Sequence, residues 1–364
     1  MRLKNKNYNR KIKRKRFLQK HSKKLHERNI RHKKIVKRYN KLKHIDHDQK
    51  LRNKASEEGF KIITAPIEFS LINNTEETLQ FINKIESCFE KEKKVFVDIR
   101  LVNKISTDAI VVLLSILTKF KTKKIGFDGN FPKNNQVRKD LASSGFFYHL
   151  MLKDFFPQDS YSFEKEIYTN ASKKVNPELT AKLIKKATEF IWGREKACRG
   201  VQRIFLELMQ NTNNHASERQ GEQYWWTTLK CSRIEKKAMF SFIDYGMGIF
   251  KSLERKNKNN SKFFKAMNLI VQFIQSNKND ELLKKLLEGD IHKIAEIPYY
   301  RGKGLHGVWE ACHDNAVSNL IIISDNVIAN YAKKTFKKIK SNLMGTFIYW
   351  ELNKDNVNKE YQND

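Results

Sequence analysis

The chain has 364 residues, and 40% of them are hydrophobic, which is enough to bury the cores of two or three domains. No apolar run approaches the roughly 18 residues of a membrane-spanning helix, and the N-terminus lacks the apolar segment of a secretory signal, so we expect a cytoplasmic protein with no membrane partner. The four cysteines are scattered without a CxxC pair, which argues against a disulfide framework and a zinc site.

The net charge of +32 is concentrated at the N-terminus. Residues 1–50 contain 21 Lys and Arg against three acidic residues, so this stretch alone holds +18. Because few apolar residues accompany the charge, we predict a basic arm over residues 1–55 that is disordered or helical. Such an arm condenses on phosphate groups, so we expect a nucleic acid, RNA or DNA, as its partner. The alternative is a solvated tail.

Strand and helix patterns alternate from residue 58 to residue 152. The segments in order are a strand or hairpin at 60–71, a helix at 76–91, a buried strand at 93–100, an apolar helix at 107–121, a strand at 123–132 and a helix at 136–150. A strand–helix–strand order with short links predicts a small α/β domain.

The segment VFVDIRLVNKISTDAIVVLL (95–114) resembles the strand, central loop and helix of a STAS domain, the fold of bacterial anti-sigma antagonists. The resemblance implies a protein partner for residues 58–152. Phosphorylatable members have Asp-Ser-Ser-Gly where this chain has Ser106-Thr107-Asp108-Ala109, which places Asp108 at the phosphoserine position. A carboxylate there mimics the modified state, or it simply caps the following helix.

Residues 153–172 are predicted to be a linker, and a second domain is predicted over residues 173–353, starting with a helix at 177–193. A longer helix then ends in ELMQNTNNHA (207–216). Glu207 and Asn211 are four residues apart and therefore share one helix face, along which His215 adds a third polar group. On its own, this face is equally typical of solvated helix surface.

A predicted hairpin leads into FIDYGMGI (242–249), which places Asp244 at the end of a strand. Gly246 and Gly248 allow the backbone to approach a flat ligand closely. Further along, RGKGLHGV (301–308) is a glycine-rich loop that opens a helix, where free N–H groups suit a phosphate. The last block, GTFIYW (345–350), lies on a predicted strand.

Together these four blocks resemble, in order, the N, G1, G2 and G3 boxes of the GHKL superfamily, which includes histidine kinases, anti-sigma serine kinases, gyrase, Hsp90 and MutL. The first block is most similar to the anti-sigma and stand-alone branch. The resemblance implies a Bergerat-fold ATP-binding domain over residues 173–353, followed by a polar tail at 354–364. Residues 250–300 correspond to the ATP lid, which the sequence predicts to be unusually helical.

The resemblance also implies roles for individual residues. Asn211 holds Mg²⁺ that bridges the ATP phosphates, and Glu207 activates water if hydrolysis occurs. Asp244 accepts a hydrogen bond from the adenine amino group, with Gly246 and Gly248 beside it. The other positions assigned to ATP binding are His215, Arg301, Gly302, Lys303, Gly304, Gly307 and Thr346.

We therefore expect an α+β protein, in which a STAS-like α/β domain is followed by a Bergerat-fold α/β sandwich. The expected function is that of a Mg-ATP-binding regulatory or effector protein, an ATPase of the GHKL superfamily with slow hydrolysis. Its nucleotide state controls lid closure and partner binding. Two alternatives stay open: an anti-sigma-type protein serine/threonine kinase, and a nucleic-acid-binding protein with a non-catalytic ATP module.

Overall fold

The computed structural model describes residues 45–151, 167–172, 174–215, 225–257, 264–290 and 304–356. In these ranges the chain is a mixture of helices and sheets, as the α+β prediction required. None of the helices in them is long and apolar enough to cross a membrane. The greater part of the basic arm, most of the predicted linker and tail, and Arg301, Gly302 and Lys303 lie outside the described residues.

Residues 45–151 form an N-terminal α/β unit. Its elements are α1 Ile45–Glu57, β1 Lys61–Thr64, β2 Glu68–Phe69, α2 Thr75–Glu90, β3 Val95–Asp98, β4 Lys104–Ile105, α3 Thr107–Thr122, β5 Phe127–Gly129, α4 Asn135–Ser143 and α5 Phe146–Met151. The strands form a parallel sheet in the order β1-β3-β5 and a separate parallel pair, β2 with β4.

Of the two alternatives for residues 60–71, the strand is confirmed and the hairpin is not. Strands β1 and β2 both lie in this segment, but β1 pairs with β3 and β2 with β4. One further local prediction for this unit was wrong. The helix expected at 136–150 is two helices, since Gly145 has a φ of +78° and interrupts it between α4 and α5. The positive φ ends the first helix in the left-handed conformation that glycine adopts without strain.

Helix α1 crosses the boundary expected for the arm at residue 55. Ala55 is buried, and the Arg52 guanidinium Nη1 lies 3.1 Å from Oδ2 of the buried Asp98 at the end of β3. A buried carboxylate paired with arginine holds the helix to the edge of the sheet. The folded unit therefore includes α1.

The described residues between 167 and 356 form a C-terminal sandwich. Its elements are β6 Ile167–Ser172, α6 Pro177–Trp192, α7 Arg199–His215, β7 Trp225–Ser232, β8 Lys237–Asp244, α8 Ile249–Asn257, α9 Phe264–Gln275, α10 Asn279–Leu287, α11 Gly304–His313, β9 Ser318–Asn330 and β10 Thr335–Leu352. The strands form one antiparallel sheet in the order β6-β7-β8-β10-β9.

The predicted hairpin of β7 and β8 is confirmed, but the linker prediction fails at residues 167–172. These residues are the edge strand β6, which runs antiparallel to β7. Their short polar-apolar sequence gave no pairing signal, because an edge strand is specified by its neighbour as much as by its own pattern. Strand β10 also begins ten residues before the block at 345–350 that was predicted to lie on a strand.

The five-stranded sheet is the middle layer of the molecule. One face packs against α6, α7, α10 and α11, in a core that includes Phe205, Phe240 and Trp350. The opposite face, with Trp226 and Phe347, packs into the same core as the N-terminal helices α2 and α3. Since alternate residues of a strand point to opposite faces, each strand serves both cores. The two units are therefore joined by continuous apolar packing.

Candidate functional site

Asp244 is the last residue of β8, and it lies in a row of residues across the end of the sheet. Thr346 of β10 is its neighbour in register, and Ser324 of β9 is the neighbour of Thr346. The hydroxyl oxygens of Ser324 and Thr346 are 3.4 Å apart. The row therefore places polar groups from three adjacent strands at one sheet edge.

The Asp244 carboxylate is held by groups from three parts of the chain. Its Oδ1 accepts a hydrogen bond from the Gly246 N–H at 3.0 Å, and the Thr346 N–H also donates to the carboxylate. From α7, the Thr212 hydroxyl lies 3.5 Å from Oδ2. Burial raises the pKa of Asp244 to about 6, and these three donors oppose the rise. Asp244 itself is half-buried, so its carboxylate is a partly desolvated hydrogen-bond acceptor.

Helix α7 brings the predicted polar face to this edge. Its apolar side, with Phe205 and Met209, is buried against the sheet, while Glu207 and Asn211 are half-buried. Asn211 directly precedes Thr212, which contacts Asp244. His215 ends the helix, and its side chain lies outside the described part. Asn211 and Glu207 therefore lie on the last turns of α7, shortly before the residue that contacts the carboxylate.

Gly248 lies where two elements meet at the same edge. Its φ is +78°, and a Cβ there would lie 2.5 Å from Oδ2 of Asp325 on β9. Asp325 accepts a hydrogen bond from the Phe250 N–H, while the Ser324 hydroxyl accepts one from the Ile249 N–H. These contacts fix the start of α8 to β9, so that only glycine fits at position 248.

Gly345 meets an even closer constraint from the other side of the site. Its φ is +98°, and a Cβ there would lie 1.9 Å from the carbonyl oxygen of Asp244. The backbone of β10 thus lies directly on the peptide that follows Asp244. Gly345 was not singled out from the sequence, although it opens the block GTFIYW, where a glycine ahead of a strand was the available signal.

Helix α11 starts at Gly304, in agreement with the helix predicted after the glycine-rich loop. Gly307, in its first turns, faces Arg203 of α7, since a Cβ at this glycine would lie 2.8 Å from the guanidinium. Arg203 is one turn before Glu207, and its Nη2 lies 3.7 Å from Glu310 on α11. This half-exposed cation beside Gly307 was missed, because nothing in the sequence connects α7 to α11.

The segment 250–300 is helical where the structure describes it, as predicted. Part of it is firmly anchored: Leu282, Leu283 and Leu287 of α10 are buried in the core of the sandwich. In addition, His306 of α11 contacts the Leu287 carbonyl oxygen through Nδ1 at 2.7 Å. Movement of α10 would expose several leucines to water. Helix α10 is therefore part of the core of the sandwich.

Asp108 is a buried structural group. Its Oδ1 accepts hydrogen bonds from the Leu71 N–H at 2.7 Å and from the Ser106 hydroxyl at 2.6 Å, which ties the β2–α2 connection to the first turn of α3. Burial raises its pKa to about 6. Thr107 is also buried, so the hydroxyl beside Asp108 is enclosed in the fold.

Comparison of the chain with protein-family models, curated proteins and solved structures finds no match. The geometry of the sheet edge and the pattern of the four sequence blocks are therefore the basis for a functional assignment.

Proposed function

We propose that this protein binds Mg-ATP at the edge of the five-stranded sheet where β8 ends. The observation that carries the proposal is the convergence on Asp244. Gly246, Thr346 and Thr212 come from three separate parts of the chain, and all of them contact its carboxylate. A partly desolvated acceptor at the end of a strand suits an adenine ring, whose amino group donates a hydrogen bond.

The residues present also fit a magnesium ion carried by the nucleotide. The described residues contain no group of three or more His, Cys, Asp and Glu side chains that would hold a metal by themselves. Mg²⁺ in phosphate-binding sites typically needs only one or two protein oxygens besides the phosphates and water. The Asn211 amide would supply that ligand, and the ion would neutralise phosphate charge. Glu207, one turn earlier, would orient water for slow hydrolysis.

In this proposal the protein is a regulatory or effector ATPase of the GHKL superfamily, with a STAS-like N-terminal unit. The nucleotide state would set the position of the part of segment 250–300 that is not fixed in the core, and with it partner binding. The anti-sigma-type kinase is less well supported. Thr107 is buried, and the Ser106 hydroxyl is bonded to Asp108 rather than directed to a nucleotide.

We also propose that the basic arm binds nucleic acid in the cytoplasm. Its +18 within 50 residues favours a polyanionic partner, and RNA and DNA share the phosphate chemistry that it recognises. The arm leads directly into α1, whose Arg52 is anchored to Asp98. A ligand on the arm is therefore tethered to the folded N-terminal unit.

Calorimetric titration of Mg-ATP into wild type and the Asp244→Asn variant tests the nucleotide proposal. Loss of a hydrogen bond to a charged acceptor costs about 1.5–3 kcal/mol, so Asp244→Asn should weaken ATP binding roughly tenfold to a hundredfold. The Asp128→Asn variant is the matched control, since Asp128 is an exposed carboxylate on β5. Equal ATP affinity of wild type and a folded Asp244→Asn variant would remove the adenine-reading role.

A further inference from the structure

Tyr245 directly follows the site carboxylate and enters the other half of the molecule. Asp244 contacts Thr212 of α7 on one face of the sheet. The Tyr245 ring packs on the other face, into the core shared with α2 and α3. Successive side chains at a strand end point to opposite faces, which explains the divergence. Two adjacent residues, Asp244 and Tyr245, therefore contact the candidate site and the N-terminal unit respectively.

The Tyr245 ring is held by α3. Its hydroxyl donates a hydrogen bond to the Val112 carbonyl oxygen at 3.4 Å, and the Lys119 ammonium lies 3.7 Å from the ring centroid. At that distance the cation is attracted to the face of the ring. The ring is thus fixed at two points, about two turns apart, on a single helix of the N-terminal unit.

A carboxyl group of α2 completes this environment. Glu86 is buried, and among the described residues no donor reaches its Oε1. The Lys119 ammonium, which lies over the Tyr245 ring, is also 6.0 Å from the centroid of the Phe89 ring on α2. Its charge opposes the rise that burial causes in the pKa of Glu86. A change in the packing of α2 on α3 therefore acts on the cation that holds the Tyr245 ring.

The backbone around Tyr245 has little room to absorb such a change. A Cβ on Gly345 would lie 1.9 Å from the Asp244 carbonyl oxygen and 2.9 Å from the Tyr245 Cα, so β10 packs directly against this peptide. The Gly246 N–H, one residue later, is itself a donor to the Asp244 carboxylate. A shift of the Tyr245 backbone therefore moves both the carboxylate and a group that orients it.

We infer that Tyr245 is a positioning residue through which the N-terminal unit sets the affinity and the adenine selectivity of the nucleotide site. The inference rests on the proposed ATP binding and adds its regulation. A partner that alters the contact of α2 with α3 shifts nucleotide affinity, and by linkage the nucleotide changes affinity for that partner by the same factor.

The decisive variant is Lys119→Met, which removes the charge over the ring and keeps an apolar stem of similar length. Lys119 lies on α3, in the unit that does not carry the site. Lys121→Met is the matched control, because Lys121 is exposed on the same helix. We expect Lys119→Met to weaken ATP binding about threefold to tenfold and to reduce the ratio of ATP to GTP affinity. Lys121→Met should change neither.

Two substitutions at Tyr245 complete the test, with calorimetry on the full chain. Tyr245→Phe keeps the ring beneath Lys119 and should retain affinity within about twofold. Tyr245→Leu removes the cation–ring contact and should behave like Lys119→Met. The adenine-to-guanine ratio is informative because a merely destabilised but folded variant would retain it.

The outcomes separate the two proposals. If wild type does not bind ATP, the proposed function itself fails. If wild type binds ATP and Asp244→Asn does not, while Lys119→Met and Tyr245→Leu bind ATP and discriminate against GTP as wild type does, only the positioning role is overturned. Should Tyr245→Leu fail to fold, Lys119→Met alone decides.

Discussion

Burial raises the pKa of four carboxyl groups in the described residues: Glu86, Asp108, Asp244 and Asp325. Asp108 and Asp244 are each bonded to at least two donors, whereas no donor in the described ranges reaches Oε1 of Glu86. The hydrogen bonds of Asp108 stabilise the local fold, and those of Asp244 orient the carboxylate of the candidate site. Glu86, by contrast, is a group whose ionised form is poorly accommodated.

The Glu86 carboxyl should make stability depend on pH. Burial raises its pKa from 4.5 to about 7, with the nearby Lys119 opposing the rise. Between these values the folded state holds a proton that the unfolded state has released, so the free energy of unfolding falls as pH increases. A shift of that size corresponds to about 3 kcal/mol at most.

Glu86→Gln should remove this contribution. We expect its advantage over wild type in the free energy of unfolding to grow from pH 4.5 to pH 7 and to stay level above pH 8. Urea unfolding at several pH values measures the difference, with Glu57→Gln, an exposed position on α1, as control. A difference that is the same at pH 5 and pH 8 would show that Glu86 does not titrate in this range.

The sequence grouped residues that belong to its motifs, but it did not predict contacts that depend on tertiary packing. Asp244, Gly246 and Thr346 were expected to form one site, and the structure brings them together. The contributions of Thr212 and Asp325 depend on how α7 crosses the sheet and how β9 pairs with β10. Those are tertiary relations that the spacing of residues along one element does not encode.

At the scale of elements, the proposed function assigns nucleotide binding and hydrolysis to two different residues of α7. Glu207→Ala should retain ATP binding and lose most hydrolysis, because a water-orienting carboxylate acts only in the reaction. Asn211→Ala should weaken Mg-dependent binding itself. Phosphate-release kinetics together with ATP titrations distinguish them, and Gln210→Ala, at an exposed position of the same helix, is the control. Hydrolysis at the wild-type rate in Glu207→Ala would make Glu207 an ordinary helix residue.

The contact between β10 and the end of β8 should be intolerant of one methyl group. Gly345→Ala combines a left-handed backbone with overlap on the Asp244 carbonyl, so we expect it to destabilise the fold by roughly 3–5 kcal/mol. Gly59→Ala is the matched control. Gly59 has a φ of +79° but no atom within 4 Å of a Cβ, so it should cost only about 1–2 kcal/mol. Thermal unfolding of the two variants measures the loss of stability. Equal losses would mean that β10 shifts to accommodate the added methyl group.

Elements with a long, regular period were the most predictable. The helices at α2, α3, α6 and α7 follow the expected segments closely, and so does the hairpin of β7 and β8. The strand β6 and the break at Gly145 were not predicted, since short segments carry too little periodicity. The nearly complete burial of α3 has a tertiary cause: the five-stranded sheet covers the side that an isolated α/β domain would leave in water.

At the scale of the whole molecule, the sheet that carries the candidate site also packs, through its other face, against α2 and α3 of the N-terminal unit. The sequence predicted two successive domains, but it did not predict that α3 packs against β7 and β8. The face of the sheet that contacts α3 consists of apolar side chains such as Trp226 and Ile243. In a single sequence these residues cannot be distinguished from other core residues. Contact between the two units is therefore part of the fold itself.

The arm should act independently of the nucleotide site. Deletion of residues 1–44, which keeps α1 and its Arg52–Asp98 pair, should remove most RNA or DNA binding and leave ATP affinity unchanged. In the full chain, log affinity should fall with log salt concentration by about 0.7–0.9 per phosphate contacted. Gel-shift titrations at several salt concentrations measure both effects. Unchanged nucleic-acid affinity and salt slope after deletion would exclude the arm as the binding segment.

The central claim is that the end of β8 reads an adenine nucleotide, and direct titration of the folded wild-type chain tests it. Isothermal calorimetry with Mg-ATP, and separately with Mg-GTP, should give saturable binding of one ATP per chain and at least about tenfold weaker binding of GTP, because the Asp244 carboxylate accepts from an amino group that guanine lacks at that position. The absence of saturable binding to a chain that unfolds cooperatively on heating, or equal affinity for both nucleotides, would contradict the claim.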